Sequence, residues 1–369
     1  MKHLFVFGTR PEAIKMAPLI RTFQADPNQE VVVCVTGQHR EMLDQVLDFF
    51  EIKPDHDLNL MAPNQTLYDI TAKALLGLKP ILADEKPDNI FVQGDTTTAF
   101  IGALAGFYEK IKVSHIEAGL RSGDLYSPFP EEGNRKLAGH LANYHFAPTQ
   151  RAINNLKSEG IKNNVHQVGN TVIDALLLGL DIIKEKGEES YEEFFKEIDF
   201  SKKVILVTGH RRESFGGPFE NMCTAMKDIA LAYPDTELVY PVHLNPNVRS
   251  TVNEILTGVN NVKLIEPLAY PFLIWLMNKS YFVLTDSGGI QEEAPSLGKP
   301  VLVMRDVTER QEGVEAGTAK LVGTNYDVIM KEAKLLLDDE KHYKGMANAV
   351  NPYGDGTTSK QVLEILKKS

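Results

Sequence analysis

The chain has 369 residues, of which 43% are hydrophobic and 24% charged, so it is long enough for two globular domains. Its net charge of −11 argues against nucleic-acid binding, which needs a basic surface, and no apolar run reaches the roughly 18 residues of a membrane span. Two cysteines, Cys34 and Cys223, are too few for a disulfide framework and are expected in the core. The first residues read as a strand and a charged helix rather than a secretory signal, so a cytoplasmic protein is expected.

Short apolar runs alternate with segments of helical spacing along the chain. The predicted strands are Leu4–Phe7, Glu30–Thr36, Asn89–Gln93, Lys112–Ile116, Tyr144–Ala147, Val165–Val168, Val204–Thr208, Glu237–Val242, Val262–Ile265, Tyr281–Leu284 and Pro300–Met304. Several are continuously apolar, as strands covered on both faces should be. The alternation predicts an α/β fold with two doubly wound parallel sheets.

The predicted strands fall into two sets that separate near Gly169-Asn170, before a charged helical stretch from Asp181 to Glu197. We therefore expect a domain boundary near residue 170.

Ligands of doubly wound sheets bind beyond the carboxyl ends of the strands. In this chain those ends carry glycine beside charged or imidazole groups, in the segments Gly8–Glu12, Gly37–Arg40, Gly94–Thr98, Glu117–Arg121, Gly209–Arg212 and Asp286–Gly289, with His243 after another strand. This convergence predicts one polar binding site built from strand ends.

The segment Thr285–Ala294 follows a predicted buried strand and precedes a helical segment that is expected to end near Pro295. Gly288 and Gly289 let the backbone approach a phosphate, and Ser287 can cap the helix or donate to a phosphate oxygen. An ordinary strand-to-helix turn that binds nothing is the alternative.

Thr9 and Glu12 have the spacing of a capping box at a helix start, which explains the local structure without a ligand. It does not explain Arg10, because a cation is unfavourable at the positive end of a helix dipole. An anion nearby would account for Arg10, and Lys15 one turn later could join it.

Carboxylates follow three of the predicted elements. Asp95 could be a helix N-cap, and Glu131 could simply favour the first turn of a helix. Glu117 directly follows a buried strand, where a carboxylate is costly unless paired, and Arg121 is one candidate partner. These carboxylates could instead perform general acid/base chemistry.

His210, Arg211 and Arg212 bring an imidazole and two guanidinium groups to one strand end, which favours anion binding over salt bridges alone. Arg310 is a further cationic candidate for anion binding, whereas His243 could be a core histidine. The sequence has no dinucleotide-binding or Walker motif and no zinc spacing, and the segment 55–57 is expected to be a loop, so neither a cofactor nor a metal is predicted.

Taken together, these motifs resemble the bacterial non-hydrolysing UDP-N-acetylglucosamine 2-epimerases over essentially the whole chain. The motifs that carry the resemblance are Gly8–Lys15, Gly94–Thr97, His115–Arg121, Pro130–Arg135, His210–Glu213 and Thr285–Ala294. The resemblance implies a glycosyltransferase-B-like fold, with two Rossmann-like domains facing a central cleft. It implies domains 1–170 plus a returning helix at about 354–369, and 171–353.

The resemblance also implies a homodimer that interconverts UDP-N-acetylglucosamine and UDP-N-acetylmannosamine for cell-envelope polysaccharides without a cofactor. The implied route eliminates UDP across carbons 1 and 2 of the sugar, through 2-acetamidoglucal, and adds UDP back. The residues carried over for UDP are Arg10, His210, Ser287, Gly288, Gly289, Glu293 and Arg310; those for the sugar and its acid/base chemistry are Lys15, Asp95, Glu117 and Glu131, with His210 also a catalytic candidate. Which carboxylate removes the carbon-2 proton stays open.

Some members of the family are activated by a second substrate molecule, and the candidate positions for such a site here are Gln38, His39, Gln65 and Arg211. The chain has Glu41 where glutamine is expected, and Asn64 where arginine is expected, so weak or absent activation is predicted. A glycosyltransferase of the same fold, a hydrolysing epimerase and a nucleotide-sugar sensor without catalysis are the rival functions.

Overall fold

The computed structural model describes residues 1–37, 40–62 and 64–368, and the chain divides into two units. The first unit comprises Met1–Leu178 and Tyr353–Ser369, and the second comprises Gly179–Pro352. Within the described residues, no helix is both long and apolar enough to cross a membrane.

A parallel sheet of seven strands forms the centre of the first unit, as far as the described ranges show, in the order β3-β2-β1-β4-β5-β6-β7. Its strands are β1 Lys2–Phe7, β2 Glu30–Val35, β3 His56–Asp57, β4 Asn89–Gln93, β5 Lys112–Ile116, β6 Tyr144–Ala147 and β7 Val165–Gln167. From β1 the chain continues to β2 and β3 on one side of the sheet. It then crosses to β4, on the other side of β1, and continues outward to β7, so the strand order reverses between β1 and β4.

The second unit repeats this arrangement with six strands among its residues, in the order β10-β9-β8-β11-β12-β13. They are β8 Lys203–Thr208, β9 Thr236–Pro241, β10 Val262–Ile265, β11 Phe282–Thr285, β12 Val301–Val303 and β13 Ala319–Leu321. Here the order reverses between β8 and β11. Both orders are those of Rossmann-like doubly wound sheets, so the expected fold class is confirmed for each unit.

Helices connect the strands. They are α1 Arg10–Gln24, α2 Arg40–Phe49, α3 Leu67–Glu85, α4 Thr97–Glu109, α5 Glu131–Leu141, α6 Gln150–Ser158, α7 Thr171–Lys186, α8 Glu189–Phe194, α9 Gly217–Ala232, α10 Pro246–Leu256, α11 Tyr270–Lys279, α12 Gly288–Ser296, α13 Gln311–Ala316, α14 Tyr326–Asp338, α15 Glu340–Ala347 and α16 Thr358–Lys367. The division between the units lies inside α7, whereas the boundary expected from the sequence lies just before it.

Each predicted strand has a counterpart in the structure, with ends that agree to about two residues. The prediction of a loop at 55–57 is wrong at His56–Asp57, which form the edge strand β3, and β13 was not predicted. Both strands are short and lie at sheet edges, where an element has few apolar positions to reveal it.

The central strands are buried on both faces, as their continuous apolar sequences predict. Leu4 to Phe7 of β1 are fully buried, and so are Cys34 and Cys223, which confirms both cysteines as core residues. The strands are therefore held by helices on each side, and their carboxyl ends are fixed relative to one another.

The C-terminal helix α16 belongs to the first unit. It packs against α1, and Lys367 forms an ion pair with Asp26 at 2.7 Å. At its other end the backbone N–H of Ser359 donates to Oδ1 of Asp174 on α7 at 2.7 Å. The chain thus leaves the first unit through α7 and returns to pack beside the same helix.

Candidate active site

Two loops meet where the strand order of the first sheet reverses, after β1 and after β4. Glu12 links them, because its Oε2 accepts from the backbone N–H groups of Gly8 at 3.0 Å and Thr9 at 2.8 Å, while its Oε1 accepts from the Thr96 hydroxyl at 2.5 Å. The capping box predicted from Thr9 and Glu12 is confirmed. Burial raises the pKa of Glu12 above its ordinary value. Arg10 is the first residue of the helix that begins at this capping box.

Glu117 follows β5 and is the best-anchored carboxylate of this group. Lys15 Nζ and Gln93 Nε2 both donate to its Oε2, and Asn170 Nδ2 donates to its Oε1 at 3.2 Å. Its side chain is only 4% exposed, and its backbone is left-handed with φ of 60°. Such a backbone is strained for a residue with a side chain and is typical of functional sites. A cation and two amides therefore stabilise the ionised form of Glu117.

Arg121 is not the partner of Glu117, contrary to the candidate pairing from the sequence. Its guanidinium instead holds Glu159 through two hydrogen bonds of 2.9 and 2.6 Å. The pairing was wrong because Arg121 lies beyond Gly119, whose left-handed backbone turns the chain away from the strand end toward α6.

Asp95 is not the N-cap of α4, because Thr96 occupies that position and accepts from the Ala99 N–H at 3.0 Å. The Asp95 carboxylate instead binds Arg135, whose Nε and Nη2 donate to Oδ2 at 2.9 and 2.6 Å. Asn134 Nδ2 also donates to the Asp95 carbonyl at 2.9 Å. The start of α5 is therefore tied to the loop after β4.

Glu131 begins α5, as the sequence predicts. The next residue, Glu132, is fully buried and accepts from Arg135 Nη1 at 2.9 Å and from the Ser122 N–H at 3.1 Å. Oε1 of Glu132 and Oε2 of Glu131 are both buried and have no hydrogen-bond partner among the described residues. Glu131 thus carries a carboxylate oxygen that is free to accept a proton, one helical turn from the arginine that binds Asp95.

The corresponding point of the second sheet lies between β8 and β11. Asp286 follows β11, and its Oδ2 accepts from the backbone N–H groups of His210 at 2.7 Å and Arg211 at 2.8 Å. The hydroxyls of Thr208 and Thr285 share a hydrogen bond of 2.6 Å at the strand ends. These contacts fix the two loops to each other.

His243 is exposed, so the reading of this residue as a core histidine is wrong. Its ring stacks on that of His210, with centroids 4.7 Å apart and an interplanar angle of 6°. The His210 side chain remains 47% exposed. The stacked pair therefore presents an imidazole edge to solvent beside Arg211.

The helix α12 starts directly after β11 with Gly288 and Gly289. Ser287 occupies the N-cap position, but its side chain makes no capping hydrogen bond, so its hydroxyl is not committed to the helix. The helix continues through Pro295 to Ser296, one residue beyond the end that the sequence suggested. This start has the geometry that aims backbone N–H groups at an anion.

Arg310 lies over this helix start. Its Nε donates to Oε1 of Glu292 at 2.7 Å, and a β-carbon built on Gly288 would lie 3.3 Å from its guanidinium carbon. Only a residue without a side chain lets the guanidinium lie so close to the backbone. The arrangement places a cation beside the N–H groups of Gly288 and Gly289, which suits a diphosphate.

Glu293 lies one turn into α12 and is 6% exposed. Tyr270 on α11 donates its hydroxyl to Oε1 of Glu293 at 3.2 Å. The other oxygen, Oε2, lies 3.7 Å from the position of a β-carbon on Gly289. A carboxylate at this place can accept from the hydroxyl groups of a ribose.

Sequence reasoning missed the residues that hold the candidate side chains in place. They are Gln93, Asn170, Arg135, Tyr270 and Glu292, each of which contacts a candidate through its side chain. Gln93 ends a predicted strand and Asn170 follows one, so the strand-end rule could have found both. Nothing in the sequence pattern around Tyr270 marks it.

The candidate effector positions are Gln38, His39, Gln65 and Arg211. Gln38 and His39 lie outside the described residues. Gln65 uses both ends of its amide within its own loop, because its Oε1 accepts from the Ala62 N–H at 3.0 Å and its Nε2 donates to the Leu60 carbonyl at 2.5 Å. Arg211 lies in the second unit beside His210.

Comparisons with known proteins agree on one family. The model of the UDP-N-acetylglucosamine 2-epimerase family matches residues 21–367. The chain is 58% identical to the UDP-N-acetylglucosamine 2-epimerase of Escherichia coli strain K12, covering 100% of this chain and 99% of that protein.

Solved structures indicate the same family. The Neisseria meningitidis UDP-GlcNAc 2-epimerase bound to UDP-GlcNAc matches with a TM-score of 0.91 and 52% identity over 100% of both chains. The Methanocaldococcus jannaschii enzyme in complex with UDP-GlcNAc and UDP matches with a TM-score of 0.80 and 35% identity, again over 100% of both chains.

Proposed function

This chain belongs to the UDP-N-acetylglucosamine 2-epimerase family and is an isomerase, and we propose that it interconverts UDP-N-acetylglucosamine and UDP-N-acetylmannosamine. One observation carries the proposal: the reversal points of the two sheets hold complementary chemistry. The second unit offers an anion-binding helix start, and the first unit offers buried carboxylates with a lysine.

The nucleotide is assigned to the second unit. The N–H groups of Gly288 and Gly289 and the Arg310 guanidinium bind the diphosphate, and Glu293 accepts from the ribose hydroxyls. Ser287 and His210 complete this group. Binding a doubly charged diphosphate needs such a local set of donors because the protein as a whole is negative.

We propose that the reaction is an elimination followed by re-addition. A base removes the proton from carbon 2, the electron pair forms the double bond between carbons 1 and 2, and the bond from carbon 1 to the UDP oxygen breaks. The products are 2-acetamidoglucal and UDP. Re-addition of UDP to carbon 1, with proton delivery to the opposite face of carbon 2, gives the epimer. No net oxidation occurs.

The geometry supports different roles for the two carboxylates. The buried Oε2 of Glu131, which has no hydrogen-bond partner in the described structure, suits the base that takes the carbon-2 proton. Glu117 accepts hydrogen bonds from Lys15, Gln93 and Asn170. It suits the stabilisation of positive charge that develops at carbon 1 as the bond to UDP breaks. We assign Asp95, which Arg135 binds, to proton delivery in the other direction.

Incubation with UDP-N-acetylglucosamine in deuterated water, followed by NMR, tests the function. We expect UDP-N-acetylmannosamine with deuterium at carbon 2. Free N-acetylmannosamine would indicate the hydrolysing reaction, and absence of exchange would favour the glycosyltransferase or the sensor. Glu131→Gln is expected to remove exchange while UDP still binds.

We further propose that activation by a second substrate molecule is weak or absent. Glu41 adds a negative charge where the activated relatives of this family have glutamine, and Asn64 removes a positive one, which disfavours a dianionic effector. A sigmoidal dependence of rate on UDP-N-acetylglucosamine that Gln38→Ala abolishes would contradict this.

Family membership also supports a homodimer that works in the cytoplasm and supplies UDP-N-acetylmannosamine for cell-envelope polysaccharides.

We propose that the dimer forms through the α3–α5 face of the first unit, defined by Leu76, Phe107, Tyr108 and Leu137. These side chains are 70, 58, 61 and 50% exposed, on helices that pack side by side. Such a group of exposed large apolar residues is typical of a protein–protein interface.

A further inference from the structure

One oxygen of the Asp286 carboxylate has no hydrogen-bond partner although the residue is completely buried. Its Oδ2 accepts from the backbone N–H groups of His210 and Arg211, as described above, whereas Oδ1 is the oxygen without a partner. A buried carboxylate oxygen without a donor is costly, so its retention calls for an explanation.

The unpartnered oxygen faces the His210 ring. Nδ1 of His210 lies 4.0 Å from Oδ1 of Asp286, about 1 Å beyond hydrogen-bond distance. Because the His210 side chain is about half exposed, it has room to close this gap. The residue after Asp286 is Ser287, the N-cap of α12, so Asp286 lies next to the proposed diphosphate site in the chain.

The groups around His210 are His243, Arg211 and Asp286. His243 accepts from the Asn245 N–H through Nδ1 at 3.1 Å, and partial desolvation together with repulsion from His210 lowers the pKa of His243. Arg211 lies beside His210 in the chain, and Tyr240 fixes the preceding residue by donating to the Gly209 carbonyl at 2.5 Å. Asp286 is thus the carboxylate that faces the stacked pair from β11.

We propose that Asp286 is a positioning residue for His210: with nucleotide bound, its Oδ1 accepts a hydrogen bond from Nδ1–H, which turns Nε2–H toward the departing diphosphate. The inference rests on the proposed function. When the bond from carbon 1 to oxygen breaks, negative charge grows on the phosphate oxygen, and a donor fixed at that place stabilises the transition state. A carboxylate behind an imidazole fixes both its orientation and the nitrogen that holds the proton.

Asp286→Asn tests the proposal. Asparagine keeps one oxygen as acceptor for the two backbone N–H groups, and its NH2 group takes the place of Oδ1. We expect kcat to fall about 10- to 100-fold, with KM for UDP-N-acetylglucosamine changed less than about threefold. In a background of His210→Asn, the same substitution is expected to change kcat less than about twofold, because Asp286 acts through His210. Equal losses in both backgrounds would overturn the proposal.

Nitrogen-15 NMR of the histidine rings gives a second readout that needs only UDP. At about pH 8, Nδ1 of His210 is expected to carry a proton in the wild-type complex and to lose it in Asp286→Asn, whose amide donates to Nδ1 instead. The spectrum of His210→Asn assigns the signal. An unprotonated Nδ1 in the wild-type complex overturns the proposal, even if Asp286→Asn does not fold.

If the wild-type protein introduces no deuterium at carbon 2, the proposed function fails, while the nitrogen signals still decide the role of Asp286.

Discussion

At the scale of single residues, Glu117 shows how the first unit keeps a charged group in its interior. Lys15 supplies the opposite charge from α1, and the amides of Gln93 and Asn170 bind the remaining lone pairs. A buried carboxylate is costly unless it is paired, and these donors supply the pairing. The strained backbone of Glu117 persists because three separate segments hold its side chain in place.

Glu117→Gln is expected to lower kcat by about 10²-fold or more while UDP affinity stays within about tenfold, because the nucleotide is bound mainly by the second unit. Steady-state kinetics and calorimetric titration with UDP measure the two effects. Glu159→Gln is the control, since it removes a carboxylate paired with Arg121, and should leave kcat nearly unchanged. Normal turnover in Glu117→Gln would exclude this residue from the mechanism.

Gly8 is required by space rather than by backbone conformation. A β-carbon at this position would lie 2.0 Å from Oγ1 of Thr36 and 2.9 Å from Oγ1 of Thr98. Those hydroxyls share a hydrogen bond of 3.0 Å, so neither can move freely. Gly8→Ala is expected to lower stability by about 1–3 kcal/mol and to displace the loop that carries Arg10.

Gly345 on α15 is the matched control for that substitution, because nothing lies within 4 Å of its β-carbon position. Gly345→Ala is expected to raise stability by about 0.5–1 kcal/mol, since alanine favours the helix. Thermal unfolding of both variants measures these changes in stability. A Gly8→Ala protein as stable as wild type would show that the loop after β1 is more adaptable than its packing indicates.

At the scale of elements, the sequence predicts the strands because their apolar runs are continuous and their boundaries carry glycine. It misses β3 and β13 because a short edge strand buries little. The residues of the candidate site likewise include some that the sequence predicts and some that it does not. The strand-end rule identifies Glu117 and Asp286, whereas the pairs Asp95 with Arg135 and Arg310 with Glu292 join residues far apart in the chain. Hydrogen bonds between distant loops leave no periodic pattern, so Asp95 resembled a helix cap and Arg121 a partner of Glu117.

The contact between α7 and α16 should make stability depend on pH through Asp174. Burial raises the pKa of this carboxyl in the folded protein. Ionisation therefore costs folded-state stability, a cost that is absent below the unfolded-state pKa and complete above the raised pKa, at about 1.4 kcal/mol per pKa unit. Asp174→Asn removes this cost and keeps an oxygen for the Ser359 N–H, so its urea midpoint should exceed that of wild type near neutral pH but not near pH 4.

Asp199→Asn serves as a control of opposite sign. Hydrogen bonds from the hydroxyl and N–H of Ser201 lower the pKa of Asp199. This group therefore stabilises the fold above its unfolded-state pKa and loses that effect as the pH falls. Its replacement should lower the urea midpoint slightly near neutral pH and leave it unchanged in acid. A neutral-pH loss in Asp174→Asn would show that its charged form is the stabilising one.

At the scale of the whole molecule, one Rossmann-like strand order occurs twice with a different chemistry at each reversal point. The first unit carries carboxylates and a lysine there, and the second carries a glycine-rich helix start with histidine and arginine. The central strands of both sheets are fully buried. Besides the α3–α5 face, the helices of the first unit also expose Met42, Leu67 and Tyr68.

Charge placed on that face should separate a dimer into monomers. Leu76→Glu and Phe107→Glu put carboxylates on α3 and α4 at side chains that are 70 and 58% exposed, so the fold of a single chain loses little by either change. In a dimer the same carboxylates would be buried without a partner, which costs several kcal/mol and shifts the equilibrium toward monomers. Sedimentation equilibrium is expected to give twice the chain mass for wild type and the single-chain mass for the double variant.

Leu231→Glu on α9 of the second unit is the matched control, because Leu231 is 61% exposed and lies outside the α3–α5 face. This variant should sediment as wild type does. Circular dichroism of all three proteins separates loss of assembly from loss of folding. If the double variant keeps the wild-type mass, the α3–α5 face is not the contact; if Leu231→Glu alone dissociates, the contact lies on the second unit, and the apolar residues of α4 then need another explanation.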